Sequence, residues 1–298
     1  MTNRLEQYKK ALLVGTVRNA AGFVVGDVLR ILDSLEELMP AMAFIVESDS
    51  TDDTVAVLED LQNRDQRVRT LSLGVTELEH PERIARLRYC RNFYINEVRT
   101  NPIYSDCDLI IIADLDGINT KINSRYFEVA LSAEIVWDAL SANQSARYYD
   151  ILALRHPLWS PNNWLMEANW LSPFIGKRRA TNHSMIDRMI KIPQHLDPIL
   201  VDSAFGGLAI YRRWVIEACD YSEDSPQTVV ENEHVTFQRK MKELGGKIYI
   251  HPALINAHFT VHSLDALLAI RLLKIFSKVW PIRLLLPILR KITIAAAR

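Results

Sequence analysis

The chain has 298 residues, 49 % of them hydrophobic and 24 % charged, a composition that excludes a disordered protein and allows one large α/β domain or two modest ones. The formal net charge of −1 hides a strong asymmetry. Residues 266–298 hold 7 basic residues and no acidic ones, which leaves the remainder at −8 and argues against a nucleic-acid surface over the whole protein.

Cys90, Cys107 and Cys219 are odd in number and show no metal-binding spacing, which predicts free thiols in a reduced compartment. No signal peptide is visible ahead of the first apolar run, Ala11–Val17, which is too short to cross a bilayer. The expected location is cytoplasmic.

In chain order, Ala11–Val17 reads as a strand, residues 22–38 as a helix ended by Pro40, and residues 42–46 as a second strand. A polar turn follows at 47–54, with acids and hydroxyls able to accept from a base imide or a ribose. The same turn would serve as an ordinary helix cap through Ser50, Thr51 or Asp52. A helix over 55–61 and a strand over 68–73 complete a β-α-β-α-β rhythm, the mark of a mainly parallel sheet.

The spacing over 81–98 predicts a helix that puts Arg88, Arg91 and Asn92 on one face. Guanidinium groups there suit a diphosphate or neutralise nearby acids, and a solvated basic face would look the same. Leu109–Ala113 follows as a strand buried on both faces, running into Asp114, Asp116 and Gly117. Two acids that close repel unless a cation or strong donors share them. Mg²⁺ or Mn²⁺ is one solution, and solvated acids at a strand end with Gly117 in the turn are the other.

Beyond the diacid, the periodicity predicts a helix over 123–140 and a strand over 149–154. Residues 156–182, with Trp159, Trp164, Trp170 and three prolines, read as a partly ordered loop whose tryptophans stack on sugars or anchor to the core. Gly206 and Gly207, ahead of an apolar strand, mark a place where backbone passes close to something. A short helix over 214–219 follows, then a helix over 235–244 with Glu233 just before it, where the helix dipole favours an acid even without chemistry. A carboxylate there can also act as a general base or orient an acceptor hydroxyl. A strand over 247–250 leads towards His258, a structural residue or a nitrogen ligand to a metal. The tail, 263–298, is basic, rich in leucine and broken by Pro281 and Pro287. That pattern fits a helix on an anionic membrane surface, or one packed on the domain or a second subunit.

Together these stretches resemble a nucleotide-sugar glycosyltransferase of the GT-A fold over roughly residues 10–260. Asp114-Leu115-Asp116 looks like its DxD motif, and residues 47–54 resemble its acidic turn, with Ser48 and Asp49 departing from the usual acid and glycine. Arg83-Ile84, residues 87–92, Asp114–Gly117 and residues 203–207 with Tyr211 are similar to the fungal capsule-associated α-1,3-mannosyltransferase family.

The resemblance implies an α/β fold of GT-A type: a Rossmann-like, mainly parallel central sheet flanked by helices, with a C-terminal basic amphipathic helical tail. The transferase domain would cover 1–262, with a nucleotide-binding half over about 10–120 and an acceptor half over about 121–262. Mn²⁺ or Mg²⁺ would sit on Asp114 and Asp116, with His258 as a further ligand. Thr16, Arg18, Glu47, Ser48, Asp49, Arg83, Asp114, Gly206 and Gly207 would hold the donor, GDP-mannose or a UDP-sugar. Glu233, Arg88 and Arg91 would act in transfer of a hexose to a glycan or lipid-linked glycan, at the cytoplasmic face of a membrane. No nucleic-acid partner is expected. A sugar-phosphate nucleotidyltransferase is one alternative, although residues 15–22 match its glycine-rich loop poorly. A non-catalytic glycan-binding protein of the same fold is another.

Overall fold

The computed structural model describes residues 4–222, 231–258 and 260. The basic tail over 263–298 lies outside them. The described elements run β1 (Ala11–Val17), α1 (Val24–Glu36), β2 (Ala41–Glu47), α2 (Thr54–Arg64), β3 (Val68–Ser72), α3 (Arg83–Thr100), β4 (Leu109–Ala113) and α4 (Ser124–Leu131). They continue with β5 (Ala139–Gln144), α5 (Trp164–Ile175), α6 (Lys177–Ser184), β6 (Ile199–Val201), β7 (Leu208–Arg212), α7 (Arg213–Ala218), α8 (Glu233–Glu243) and β8 (Ile248–Ala257).

One eight-stranded sheet, ordered β3-β2-β1-β4-β7-β5-β8-β6, carries both halves of the chain. Its alternating side chains feed two cores. Leu109, Ile111 and Ala113 of β4 pack with α1 and α4, whereas Ile110 and Ile112 pack with α3, α7 and α8. The apolar run of β4 is therefore uninterrupted because helices cover both of its faces. All three cysteines are free and buried. No helix among the described residues is long and apolar enough to cross a membrane.

The sheet is parallel from β3 to β4, and β5 pairs with β8 in parallel too. It departs from a parallel pattern at β7, which lies antiparallel between β4 and β5, and at the edge strand β6. Because β7 is reversed, its first residue meets the last residue of β4, Leu208 opposite Ala113. The Gly206–Gly207 corner that leads into β7 is thereby set beside Asp114, whose N–H donates to the Gly207 carbonyl at 2.9 Å.

Three segments differ from the expectation drawn from periodicity. The helix over 123–140 stops at Leu131, and residues 139–144 form the central strand β5 instead. Its sequence, ALSANQ, has no β-branched residue, and its polar side chains reach partners distant in the chain. Ser141 Oγ donates to the Ala204 carbonyl at 2.6 Å and Asn143 Nδ2 to the Pro252 carbonyl at 2.9 Å. Residues 149–154 form buried turns rather than a strand, because Asp150 turns inward and accepts from Gly206 N at 2.9 Å. The tryptophan-rich tract over 156–182 is mostly helical, as α5 and α6. Trp159 is a core anchor, donating to the Arg188 carbonyl at 2.8 Å and packing on Tyr148, whereas Trp170 is exposed.

The glycine corner is sterically demanding. Gly206 and Gly207 have φ of 69° and 81°, and a Cβ on Gly206 would collide with the Ala142 carbonyl oxygen. Gly206→Ala is expected to cost on the order of 2 kcal/mol or more in denaturant unfolding. Gly26→Ala is the contrast: the site is an exposed, open helical position, where alanine should stabilise by about 0.5–1 kcal/mol. Equal effects at the two positions would contradict this account.

Candidate functional site

The carboxyl ends of β1, β2 and β4 open onto a cavity of about 770 Å³. Its walls include Thr16 near the end of β1 and Arg18 just after it, Ser48 and Asp49 after β2, and Asp114 and Asp116 after β4. Arg83, Arg86 and Arg91 reach it from α3, and Glu233 and His234 from the start of α8. Strand ends of an open α/β sheet are where ligands sit in such folds.

Arg91 is the centre of the charge arrangement. Its guanidinium is buried, lying 3.5 Å from Asp114 Oδ1 and 3.3 Å from Glu233 Oε1. It also donates to Nε2 of His234 and packs over the rings of Phe205 and Tyr221. The His234 ring stacks on Phe205 at 3.7 Å. Burial, with Arg91 alongside, drives His234 well below the usual histidine range, so it stands neutral and accepts through Nε2.

The two aspartates of the diacid differ. Asp116 is exposed to the cavity. Asp114 is pushed above the ordinary carboxylate range by burial, with Asp116, Asp150 and Glu233 reinforcing the shift and Arg91 opposing it. Its side chain keeps 39 % exposure at the cavity, so a cation or donor arriving there has direct access. Behind it, Asn119 Nδ2 donates to the Asp114 carbonyl at 2.5 Å. Asn256 links Asn119 to the Gly206 carbonyl, and Gln144 donates to the same carbonyl. Buried amides thus fix the backbone that carries the diacid.

The acidic turn after β2 spends much of its polarity on itself. Glu47 accepts from Ser50 N at 2.9 Å and from Ser72 Oγ, and it does not reach the cavity wall. Asp49 takes φ of 57°, the conformation a glycine would adopt at that point. Burial opposes its ionisation, but Thr76 and the Glu77 N–H donate to it and hold its carboxyl below the ordinary range. Arg18 Nε donates to the Asp49 carbonyl at 3.1 Å. Asp52, one residue ahead of the Asp53 N-cap, accepts from Thr54 N at the start of α2 at 3.1 Å.

Other expected site residues lie apart from the cavity walls. Arg88 contacts the Glu231 carbonyl at 3.4 Å. Gly206 and Gly207 support Asp114 from behind, as part of the backbone corner. His258 Nδ1 faces Ser145 Oγ at 2.6 Å. Among the described residues, no cluster of three or more His, Cys, Asp or Glu is arranged to hold a metal, so His258 does not form such a group with Asp114 and Asp116.

Conversely, Asp150, Tyr149, Phe205 and His234 line the cavity without having been singled out from the sequence. For Asp150 the sequence carried a misleading signal, an apolar neighbourhood that imitates a strand. For His234 the acid-rich run 231–234 was a usable one.

No protein-family model matches the chain, and no curated protein matches it. Among solved structures it is similar to a mannosyltransferase from Pyrobaculum calidifontis in complex with GDP-Man and Mn²⁺, at 14 % identity and TM-score 0.46, over 82 % of this chain and 55 % of that one. Glucosyl-3-phosphoglycerate synthase from Mycobacterium tuberculosis in complex with UDP gives 11 % and 0.41, over 85 % and 70 %. S. aureus TarS 1–349 gives 13 % and 0.41, over 81 % and 57 %. The chain spans little more than half the length of the first of these. The similarity is remote. None of the three is a fungal α-1,3-mannosyltransferase, all three TM-scores lie below 0.5, and what the cavity does must follow from its own residues.

One acid at the edge of the site is held at a cost. Asp27 of α1 is buried and accepts from Gly117 N at 2.8 Å, and burial pushes it up to about 6. Since its folded value is raised, Asp27 lowers stability as pH climbs from about 4 to about 6, and that deficit persists above. Asp27→Asn, which can keep the Gly117 contact, is expected to raise stability at pH 7 by about 1–3 kcal/mol. In EDTA the gain should shrink below pH 6 and vanish near pH 4. A gain independent of pH would reject the explanation.

Proposed function

We propose that this protein is a metal-dependent glycosyltransferase of the GT-A type, moving a hexose from a nucleotide-sugar to a glycan or lipid-linked glycan. The observation that carries this reading is one cavity with acids on one wall and arginines on another. Asp114 and Asp116 stand at the end of β4, and Arg83 and Arg86 come from α3. A nucleoside diphosphate with a divalent cation has both complements. The cavity volume of about 770 Å³ suits a ligand of that size.

The residues fit a hard cation. Two carboxylates at i,i+2 face the cavity, and Asp150 and Glu233 line it beside them. Asp114 and Asp116 would hold Mn²⁺ or Mg²⁺, with the remaining positions left to water and phosphate oxygens, as such ions prefer. The chemistry it supplies when bound is neutralisation of the charge that grows on a departing diphosphate.

The chain's own residues then divide the work. Arg83 is exposed on the cavity wall and makes no ion pair among the described residues, which leaves its guanidinium for phosphate oxygens. Arg91 is already engaged with Asp114 and Glu233, so it holds those carboxylates in place. Glu233 Oε2 is buried and has no hydrogen-bond partner, a costly condition that an acceptor hydroxyl would relieve. In an inverting reaction Glu233 would take the proton of that hydroxyl. In a retaining one the departing phosphate would take it, and Glu233 would orient the acceptor. The finer reading is mannose from GDP-mannose with retention, and it rests on the motif resemblance. The tail over 263–298 and a cytoplasmic membrane face belong to the same proposal.

Calorimetry with GDP-mannose, UDP-glucose and UDP-GlcNAc, in Mn²⁺ and then in EDTA, tests the reading. One donor is expected to bind only with metal, and Asp116→Ala should abolish that binding. Glu233→Gln should leave donor affinity nearly unchanged and lower kcat by about 10²-fold or more if Glu233 is the base. If no donor binds under either condition, the transferase reading fails. Glycan binding without turnover would point to the non-catalytic alternative.

A further inference from the structure

Helix α5 presents an unusual face to solvent. Leu165, Met166, Trp170 and Phe174 are all exposed, the last two by 69 % and 72 %. At 100° per residue these side chains, with Asn169 and Pro173, fall on one continuous side of the helix. The inward side is the narrower one, since only Ala168 of α5 is fully buried. The Trp170 and Phe174 rings lie 5.4 Å apart, so they form a single aromatic ridge. A soluble helix normally turns its apolar stripe inward, and a contiguous exposed apolar patch marks an interaction surface.

The chain directly beyond the ridge is basic. Gly176, with φ of 81°, turns it into α6, which opens Lys177-Arg178-Arg179. All three side chains are exposed, and none makes an ion pair with a described residue. α6 contains no acid. Three unpaired cations beside an apolar ridge are complementary to one kind of surface, a bilayer with anionic headgroups. Trp and Phe occupy the boundary region while Lys and Arg meet phosphates. A second copy of the same face would bring like charges together, and the tail over 266–298 is itself free of acids, so neither offers that complement.

We infer that α5 and the start of α6 form a membrane-docking surface for anionic lipid, separate in sequence from the basic tail. A second cavity, of about 760 Å³, opens alongside, with Met166 and Trp170 on its wall together with Asn163, Glu231 and Arg239. Its wall adjoins the catalytic cavity through the segment 231–233, since Glu231 lines one and Asn232 and Glu233 the other. Docking by the ridge therefore sets this second cavity at the lipid surface, next to the site where transfer is proposed.

Vesicle co-sedimentation of the full chain tests this without donor, metal or turnover, so its outcome is separate from that of the transferase reading. Phosphatidylcholine vesicles would be compared with vesicles holding about 30 % phosphatidylserine, on which binding is expected to be about tenfold tighter at physiological salt. Trp170→Ser with Phe174→Ser should lower partitioning on both compositions by about tenfold, given the apolar area removed. Replacing Lys177, Arg178 and Arg179 together by Ala should lower the preference for anionic lipid several-fold, beyond what the tail supplies, and leave the neutral component. Matching thermal melts would show that the exposed substitutions leave the fold intact. Unchanged partitioning in both variants would assign any binding to the tail and overturn the inference. So would concentration-dependent dimerisation that the Trp170→Ser, Phe174→Ser variant abolishes, since the ridge would then be an interface between copies.

Discussion

The buried guanidinium of Arg91 is the constraint on which the site depends. A charge with almost no exposure is tolerable only when its neighbours replace the water it has lost. Here those neighbours are Asp114 from the end of β4 and Glu233 from the start of α8, with neutral His234 and the faces of Phe205 and Tyr221 around them. Four separate parts of the chain must meet for Arg91 to be buried at all. Breaking one contact leaves a buried carboxylate or guanidinium short of a partner, so the interaction acts more to specify the arrangement than to add net stability.

The reversed strand β7 makes that meeting possible. In a wholly parallel sheet the segment entering a strand begins at the edge opposite the carboxyl ends. Reversing β7 brings its leading corner, Gly206–Gly207, to the same edge as Asp114. The strands β5 and β8 run in the same sense as β4, so the turn holding Tyr149 and Asp150, and Thr260 beyond β8, converge there too. Both halves of the chain thereby supply walls to one cavity.

Several groups at this edge are less stable than they need be for folding alone. Asp27 is buried as an acid, Asp114 is pushed up by burial and by neighbouring carboxylates, and Glu233 has an oxygen with no hydrogen-bond partner. Such costs gather where a protein is arranged for something other than its own stability. The exposed ridge of α5 is a cost of the same kind on the outer surface, in apolar area left to water.

The sequence by itself determined the half of the chain that runs to β4. Strands β1 to β4 and helices α1 to α3 follow from local periodicity, because β1, β2 and β4 are short buried apolar runs and the segments between them carry helical spacing or a stop. It also showed Asp114 and Asp116 at a strand end. Only the tertiary structure decided the reversal of β7, the strand nature of ALSANQ, the turn at Asp150 and the helices of the tryptophan-rich tract. For ALSANQ and for Asp150 the stabilising partner is remote. Ser141 is satisfied by Ala204, Asn143 by Pro252 and Asp150 by Gly206, pairings that no local pattern records. The same reason separates the residues read as a group from those that meet. Arg88 and Arg91 share a helical stripe, yet only Arg91 reaches Asp114, because the neighbours of a side chain across a cavity are set by how the elements pack.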